Sequence, residues 1–207
     1  MPNIIASPEA EVAERFKRNT AAHQMTVLHE GGLYRHLRFE TPGKHGAYAF
    51  ELVTWPYNLV IKAGWTFHFD IDATPDMFVL FRNTAFSGEI NPGYWQEKVR
   101  AGRDEIEGFD PNLFERQVKQ YVVHSIRDGE APRGIGAEVT REIFEMGDIS
   151  HEYGARAALE DFRYGGWDFG DLSEWDFSDY TPGFLHCCHA IRRGIDVYDA
   201  ARKAVAS

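Results

Sequence analysis

Residues Met25–Asp72 read MTVLHEGGLYRHLRFETPGKHGAYAFELVTWPYNLVIKAGWTFHFDID, and this stretch decides the fold. Leu33, Leu37 and Phe39, then Tyr48, Phe50 and Leu52, then Trp65, Phe67 and Phe69 keep an even spacing. That is the period of a strand, whose side chains point alternately to its two faces. Turn chemistry separates the runs: Gly31 and Gly32, then Thr41 to Gly46 with Pro42 and Gly43, then Trp55 to Asn58, then Ala63 and Gly64. Short connections between successive strands favour neighbours in space, so the stretch predicts an antiparallel meander of about five strands over residues 25–72. If the short turns set the register, Leu33, Leu37, Val53, Val60, Trp65 and Phe67 share one face. Tyr34, Tyr48, Phe50, Leu52, Leu59 and Ile61 share the other. Both faces are then apolar and need a cover, from helices, from curling into a barrel, or from another chain.

Helices are expected on either side. Ser7, Pro8, Glu9 and Glu11 make a helix opening, with Val12, Ala13 and Phe16 on its apolar face. Pro75, Asp76 and Met77 begin a short helix through Phe78, Phe81 and Arg82, and Asn91, Pro92 and Gly93 break the chain before Tyr94, Trp95 and Val99. Asp110 and Pro111 cap a longer helix that places Phe114, Val118, Tyr121, Val122, Ser125 and Ile126 on one buried face. A loop at 128–137 precedes helical segments near 138–146 and 149–163. From Pro182 a last helix carries an apolar seam of Phe184, Cys188, Ile191, Ile195 and Tyr198, beside a stripe of small residues, Cys187, Ala190, Gly194 and Ala201, that admits a close neighbour. The expectation is an α+β fold in one domain, 1–207, with helix and meander in 1–82 and a helical layer in 83–207.

At 207 residues the chain is long enough to bury roughly 70% of its unfolded surface without a metal or disulfide staple. Residues 1–7 lack the basic start and apolar run of an export signal, and no apolar run approaches the ~20 residues that cross a bilayer. Cys187 and Cys188 are adjacent, so a bridge between them is strained, and a reducing cytoplasmic setting fits best. A pI near 5.3 argues against direct nucleic-acid binding, which needs clustered Lys and Arg. No cofactor is expected.

Charge is concentrated. Residues 138–182 hold twelve carboxylates and three arginines, a balance close to the whole chain's formal charge of −10. Phe144, Tyr153, Phe162, Tyr164, Trp167, Phe169, Trp175, Phe177 and Tyr180 alternate with these acids, too many rings for a disordered acidic tail. The stretch reads as a folded acidic surface. Trp167, Asp168, Asp171, Glu174, Trp175, Asp176 and Asp179 are its candidate binding residues, carboxylates for a basic groove and rings as anchors. Such a surface suits an inhibitor or a nucleic-acid mimic; the competing account is a solvated face that only aids solubility.

Catalytic patterns are sparse. His68, Asp70 and Asp72 alternate with Phe67, Phe69 and Ile71, so on a strand they point the same way, the one candidate for a metal-assisted or acid–base centre. His186, Cys187, Cys188 and His189 include zinc-ligand types, but adjacent cysteines do not share a helix face, and core packing is the better reading; no metal is expected. His151 and Glu152 begin a metalloprotease-like pattern that fails at Ala155. Gly134 and Gly136 complete neither a dinucleotide nor a phosphate loop, and no serine sits in a nucleophile elbow.

LYRHLRF (33–39), LVTWP (52–56), Trp65 to Phe67 followed by Asp76, Met77 and Phe78, and INPGYWQEK (90–98) resemble an uncharacterised family of bacteriophage and prophage hypothetical proteins. The ending, with Ala190, Ile191, Gly194, Ile195, Val197, Tyr198 and Asp199, is also similar to that family's final helix. The likeness covers most of the chain from about residue 25, apart from the central charged stretch. It implies only a viral origin; small accessory phage proteins are often binders of host or defence components, an analogy that favours an accessory protein acting by protein–protein interaction in the host cytoplasm. It implies no activity or catalytic residue. A metal-assisted enzyme and a self-associating virion component, hence a homo-oligomer, are the alternatives.

Overall fold

The computed structural model describes residues 8–206 except 45, 47 and 83–89, so the expected Ser7 cap lies outside the described residues. The fold is α+β: a six-stranded antiparallel sheet in meander order, with a mostly helical C-terminal half. The chain forms two compact units, one of residues up to Ile106 together with Tyr180 onward, the other Glu107–Asp179.

In the first unit the strands are β1 (Gln24–Gly31), β2 (Tyr34–Glu40), β3 (Phe50–Trp55), β4 (Asn58–Lys62), β5 (Thr66–Asp70) and β6 (Val99–Ala101), paired in that order. Helices α1 (Pro8–Thr20), α2 (Met77–Arg82), α3 (Pro92–Gln96) and α7 (Pro182–Ala206) complete the unit. Asn91, Pro92 and Gly93 do not simply break the chain. Asn91 Oδ1 accepts the Tyr94 amide and Pro92 occupies the first turn, so the tripeptide starts α3.

The register corrects the expected faces. Leu37 pairs with Leu52, Phe39 with Phe50, Leu52 with Ile61, Ile61 with Phe67, and Leu59 with Phe69. These eight side chains therefore share one face, and all are buried. Val53 and Val60 pair on the opposite, half-exposed face, among His36, Arg38, Glu51, Lys62, His68 and Asp70. The sheet is apolar on one side only. The parities of the nine-residue 41–49 connection and of the three-residue 63–65 turn set this register, and composition cannot reveal parity.

A β-bulge between Val27 and His29 shifts β1 by one residue, so that Glu30 rather than His29 pairs with Arg35. Glu30 then accepts the Tyr198 hydroxyl and meets Arg202 at 3.3 Å. Arg35, only 8% exposed, forms a two-pronged ion pair with Asp76 (2.9 and 3.2 Å) beneath the Phe78 and Tyr198 rings. Arg82 grips Asp199 in the same way, at 2.7 and 2.6 Å. These bonds tie α2 and α7 to each other and to the sheet.

The second unit holds α4 (Pro111–Arg127), α5 (Ile135–Val139) running into a wider π-helical turn at Thr140–Glu145, α6 (Glu152–Asp161), the short strand β7 (Glu107–Phe109) and all but the last residue of β8 (Ser178–Tyr180). Asp110 caps α4 by accepting the Asn112 amide at 2.8 Å. Its core contains Phe114, Val118, Val122, Ile135, Val139, Ile143, Leu159, Phe162, Phe169 and Phe177. Ile126, expected inside, is 51% exposed.

Candidate functional site

The acidic loop of residues 162–179 follows α6, and its alternation sorts side chains in a simple way. Phe162, Phe169, Leu172 and Phe177 are buried, while Asp168, Asp171, Glu174 and Asp176 face water. Gly165, Gly166 and Gly170 turn the chain at φ of 58°, 82° and 66°, angles that side chains disfavour. Three aspartates then fix the turns. Asp168 Oδ1 accepts the Gly170 amide, Asp171 Oδ1 that of Ser173 and Asp176 Oδ1 that of Ser178, at 2.8, 2.8 and 2.9 Å.

These bonds to backbone N–H groups hold the Asp171 and Asp176 carboxyls below their ordinary range. The same aspartates thus shape the loop and carry its exposed charge.

The loop is anchored from below. Arg156 donates to the carbonyls of Trp175 (2.7 Å) and Leu172 (3.4 Å) while pairing with Glu152 (2.8 Å), and Gln117 donates to the Asp176 carbonyl at 2.8 Å. Trp175 packs on Tyr121 at 5.0 Å, and Trp167 on Phe169 at 4.9 Å and Tyr121 at 6.0 Å. Both indoles are half-buried, so they act first as supports of the core. Asp179 is half-buried. Intramolecular pairing trims the charge: before the loop Arg141 meets Glu138 and Glu142, and within it Arg163 lies 3.5 Å from Asp168.

The more exposed apolar groups of this unit are Tyr153, a ring of the acidic stretch but not one of its candidate binding residues, and Met146. Tyr153 is 81% and Met146 72% exposed, both on the segment that enters α6. Ala155 and Leu159 set the buried phase of α6, which turns position 153 to the opposite side, and that phase was the available signal.

His68, Asp70 and Asp72 do not converge. Asn58 donates its amide to Pro56 O, which directs Oδ1 to His68 Nε2 at 2.6 Å, and the imidazole stacks on Trp55 at 5.6 Å. Asp70 pairs with Arg100 at 2.9 Å, and Asp72 is exposed in the turn beyond β5. Asp148, Ser150 and His151 lie close together, but the Ser150 hydroxyl donates to Asp148 at 2.7 Å rather than to the imidazole, so no activated nucleophile results.

Cys187 and Cys188 are free and buried; burial, then Glu105, pushes the Cys187 thiol up to about 12, and burial, then Cys187, raises Cys188 well above its ordinary value. Neither thiol is activated. No group of three or more His, Cys, Asp or Glu among the described residues is arranged to hold a metal ion. A shallow, open depression lies along α4, lined by Lys119, Gln120, Val123, His124 and Arg127 of that helix alone. No described helix is long and apolar enough to cross a membrane. No family model, curated protein or solved structure matches the chain.

Proposed function

We propose that Glu107–Asp179 is an acidic recognition module that binds a basic surface on a host protein, and that the chain is a phage-type accessory protein acting in the host cytoplasm as an inhibitor or nucleic-acid mimic. One observation carries this reading. The module holds seventeen carboxylates against seven basic residues, while the rest of the chain holds fifteen of each, so the entire formal charge of −10 belongs to the module. Carboxylates tethered to backbone amides at Asp168, Asp171 and Asp176 keep their directions, which lowers the ordering cost of binding. A dense negative field also speeds encounter with a cationic partner.

Charge and turn geometry are separable, because asparagine keeps the Oδ1 acceptor and loses the charge. The triple variant Asp168→Asn, Asp171→Asn, Asp176→Asn is expected to fold normally, to capture less host protein from lysate at low salt, and to associate with the captured partner about tenfold more slowly, with a shallower salt dependence. Equal capture and equal kinetics for variant and wild type would remove this surface from consideration.

A further inference from the structure

Helix α1 is attached to its unit by one stripe, Val12, Phe16 and Thr20, with the other described positions exposed or half-exposed. Phe16 is the centre of that attachment. Its ring meets the His186 imidazole edge-on at 5.0 Å, lies along that of His189 at 5.8 Å, and stands 6.2 Å from Phe50. His23, in the turn after α1, packs on Phe50 at 6.0 Å, and Trp65, from the β4–β5 turn, packs on His186 at 6.0 Å. Three histidines thus gather where α1 meets α7, and His186 and His189 are only 9% and 8% exposed.

Among the described residues, the charged and titratable groups that act on His186 are Arg15 of α1, His189 of α7 and His23 of the following turn; the Trp65 turn adds none. Each is positive when charged, so none favours a proton on His186.

We propose that this cluster makes α1 an acid-released clasp: protonation of His186 frees the helix from α7, uncovering Phe50, His186 and His189, while the sheet and α7 remain folded. Burial, then Arg15, His189 and His23, lowers the His186 pKa from 6.5 to about 4. Released into water, the imidazole regains its ordinary value. A group depressed in the docked state favours docking fully above the released value, and that advantage fades as pH falls from 6.5 towards 4. With those two values the docking equilibrium weakens about 30-fold at pH 5 and about 300-fold at the acid limit.

A released helix of 13 residues has little order of its own, since isolated helices below ~12–15 residues are marginal. The remaining structure does not depend on it. The six-strand ladder pairs without α1, and α7 is fastened through Arg82–Asp199 and Tyr198–Glu30.

Native-state hydrogen exchange on the full chain at pH 7 and pH 5, corrected for intrinsic rates, tests this. Wild-type α1 amides are expected to lose about 20-fold in protection from pH 7 to pH 5 while the β3 and β4 amides keep theirs. In His186→Phe, or in His186→Gln should the first variant fail to fold, α1 protection should change less than threefold. Should neither variant fold, titration of the wild-type imidazole by NMR decides, a His186 value below 5 supporting the clasp and one near 6.5 overturning it. Unchanged α1 protection in the wild type, an equal loss in a folded variant, or simultaneous loss in the strands would each overturn it.

Discussion

Gly194 stands where α7 passes over the sheet, and a Cβ there would lie 2.6 Å from Leu52 Cδ1 and 3.2 Å from the Phe39 ring. Both neighbours are buried, so neither moves without disturbing the core. Gly194→Ala gains about 1 kcal/mol of helix propensity, yet overpacking at such a contact costs ~1–3 kcal/mol. A lower urea midpoint with an unchanged denaturant slope is the expected result. Gly183 repeats the logic at the other end of the helix, where the Trp65 ring lies 2.5 Å from a built Cβ. Small residues on α7 were visible in the sequence; Ala201, in the same stripe, is exposed and serves no such approach. Only the crossing point of helix and sheet tells a required glycine from an incidental alanine.

Elements show a second kind of dependence, because one extra residue redirects every side chain after it. Leu28 is the unpaired residue of the β1 bulge, and it brings Glu30 to the side where Tyr198 and Arg202 wait. Deleting Leu28 should restore an unbroken register, turn Glu30 outward, and destabilise the chain by about 1.5–3 kcal/mol, the value of a hydrogen bond to a charged group. Chemical denaturation checks this, and a neutral deletion would mean that the bulge has no such role. Helix starts behave more locally. Asp110→Ala should cost about 1 kcal/mol through loss of the α4 cap, and this was readable directly from the Asp-Pro pair, just as the Asn91 cap was hidden inside what resembled a plain breaker.

At the scale of the molecule, the separation of charge has a thermodynamic consequence. Seventeen carboxylates with seven basic residues in one unit repel one another, whereas the other unit is balanced. Raising ionic strength from about 0.01 M to about 0.15 M shortens the screening length from ~30 Å to ~8 Å. Amides of α4 and α6 should then become several-fold better protected from hydrogen exchange while those of β3 and β4 barely change. Equal salt responses in both units would show that the acids are already compensated where they stand. The test also bears on the solubility account of the acidic loop, since a face kept only for solubility needs no turn-locked carboxylates.

The amino-acid sequence alone determined the α+β class, the meander order, the long final helix, and the concentration of acid beside aromatic rings in residues 138–182. These follow from local periodicity, turn residues and charge, which are properties of neighbours along the chain. Tertiary structure alone decided which sheet face is apolar, that β6 joins the ladder, that the tryptophans of the acidic loop lean on Tyr121, and that His68 and Asp70 are engaged by different partners while Asp72 stands exposed in the turn beyond β5. Those outcomes depend on loop parity, on a bulge, and on contacts between residues distant in sequence. Spacing carries no information about such contacts until the chain is folded.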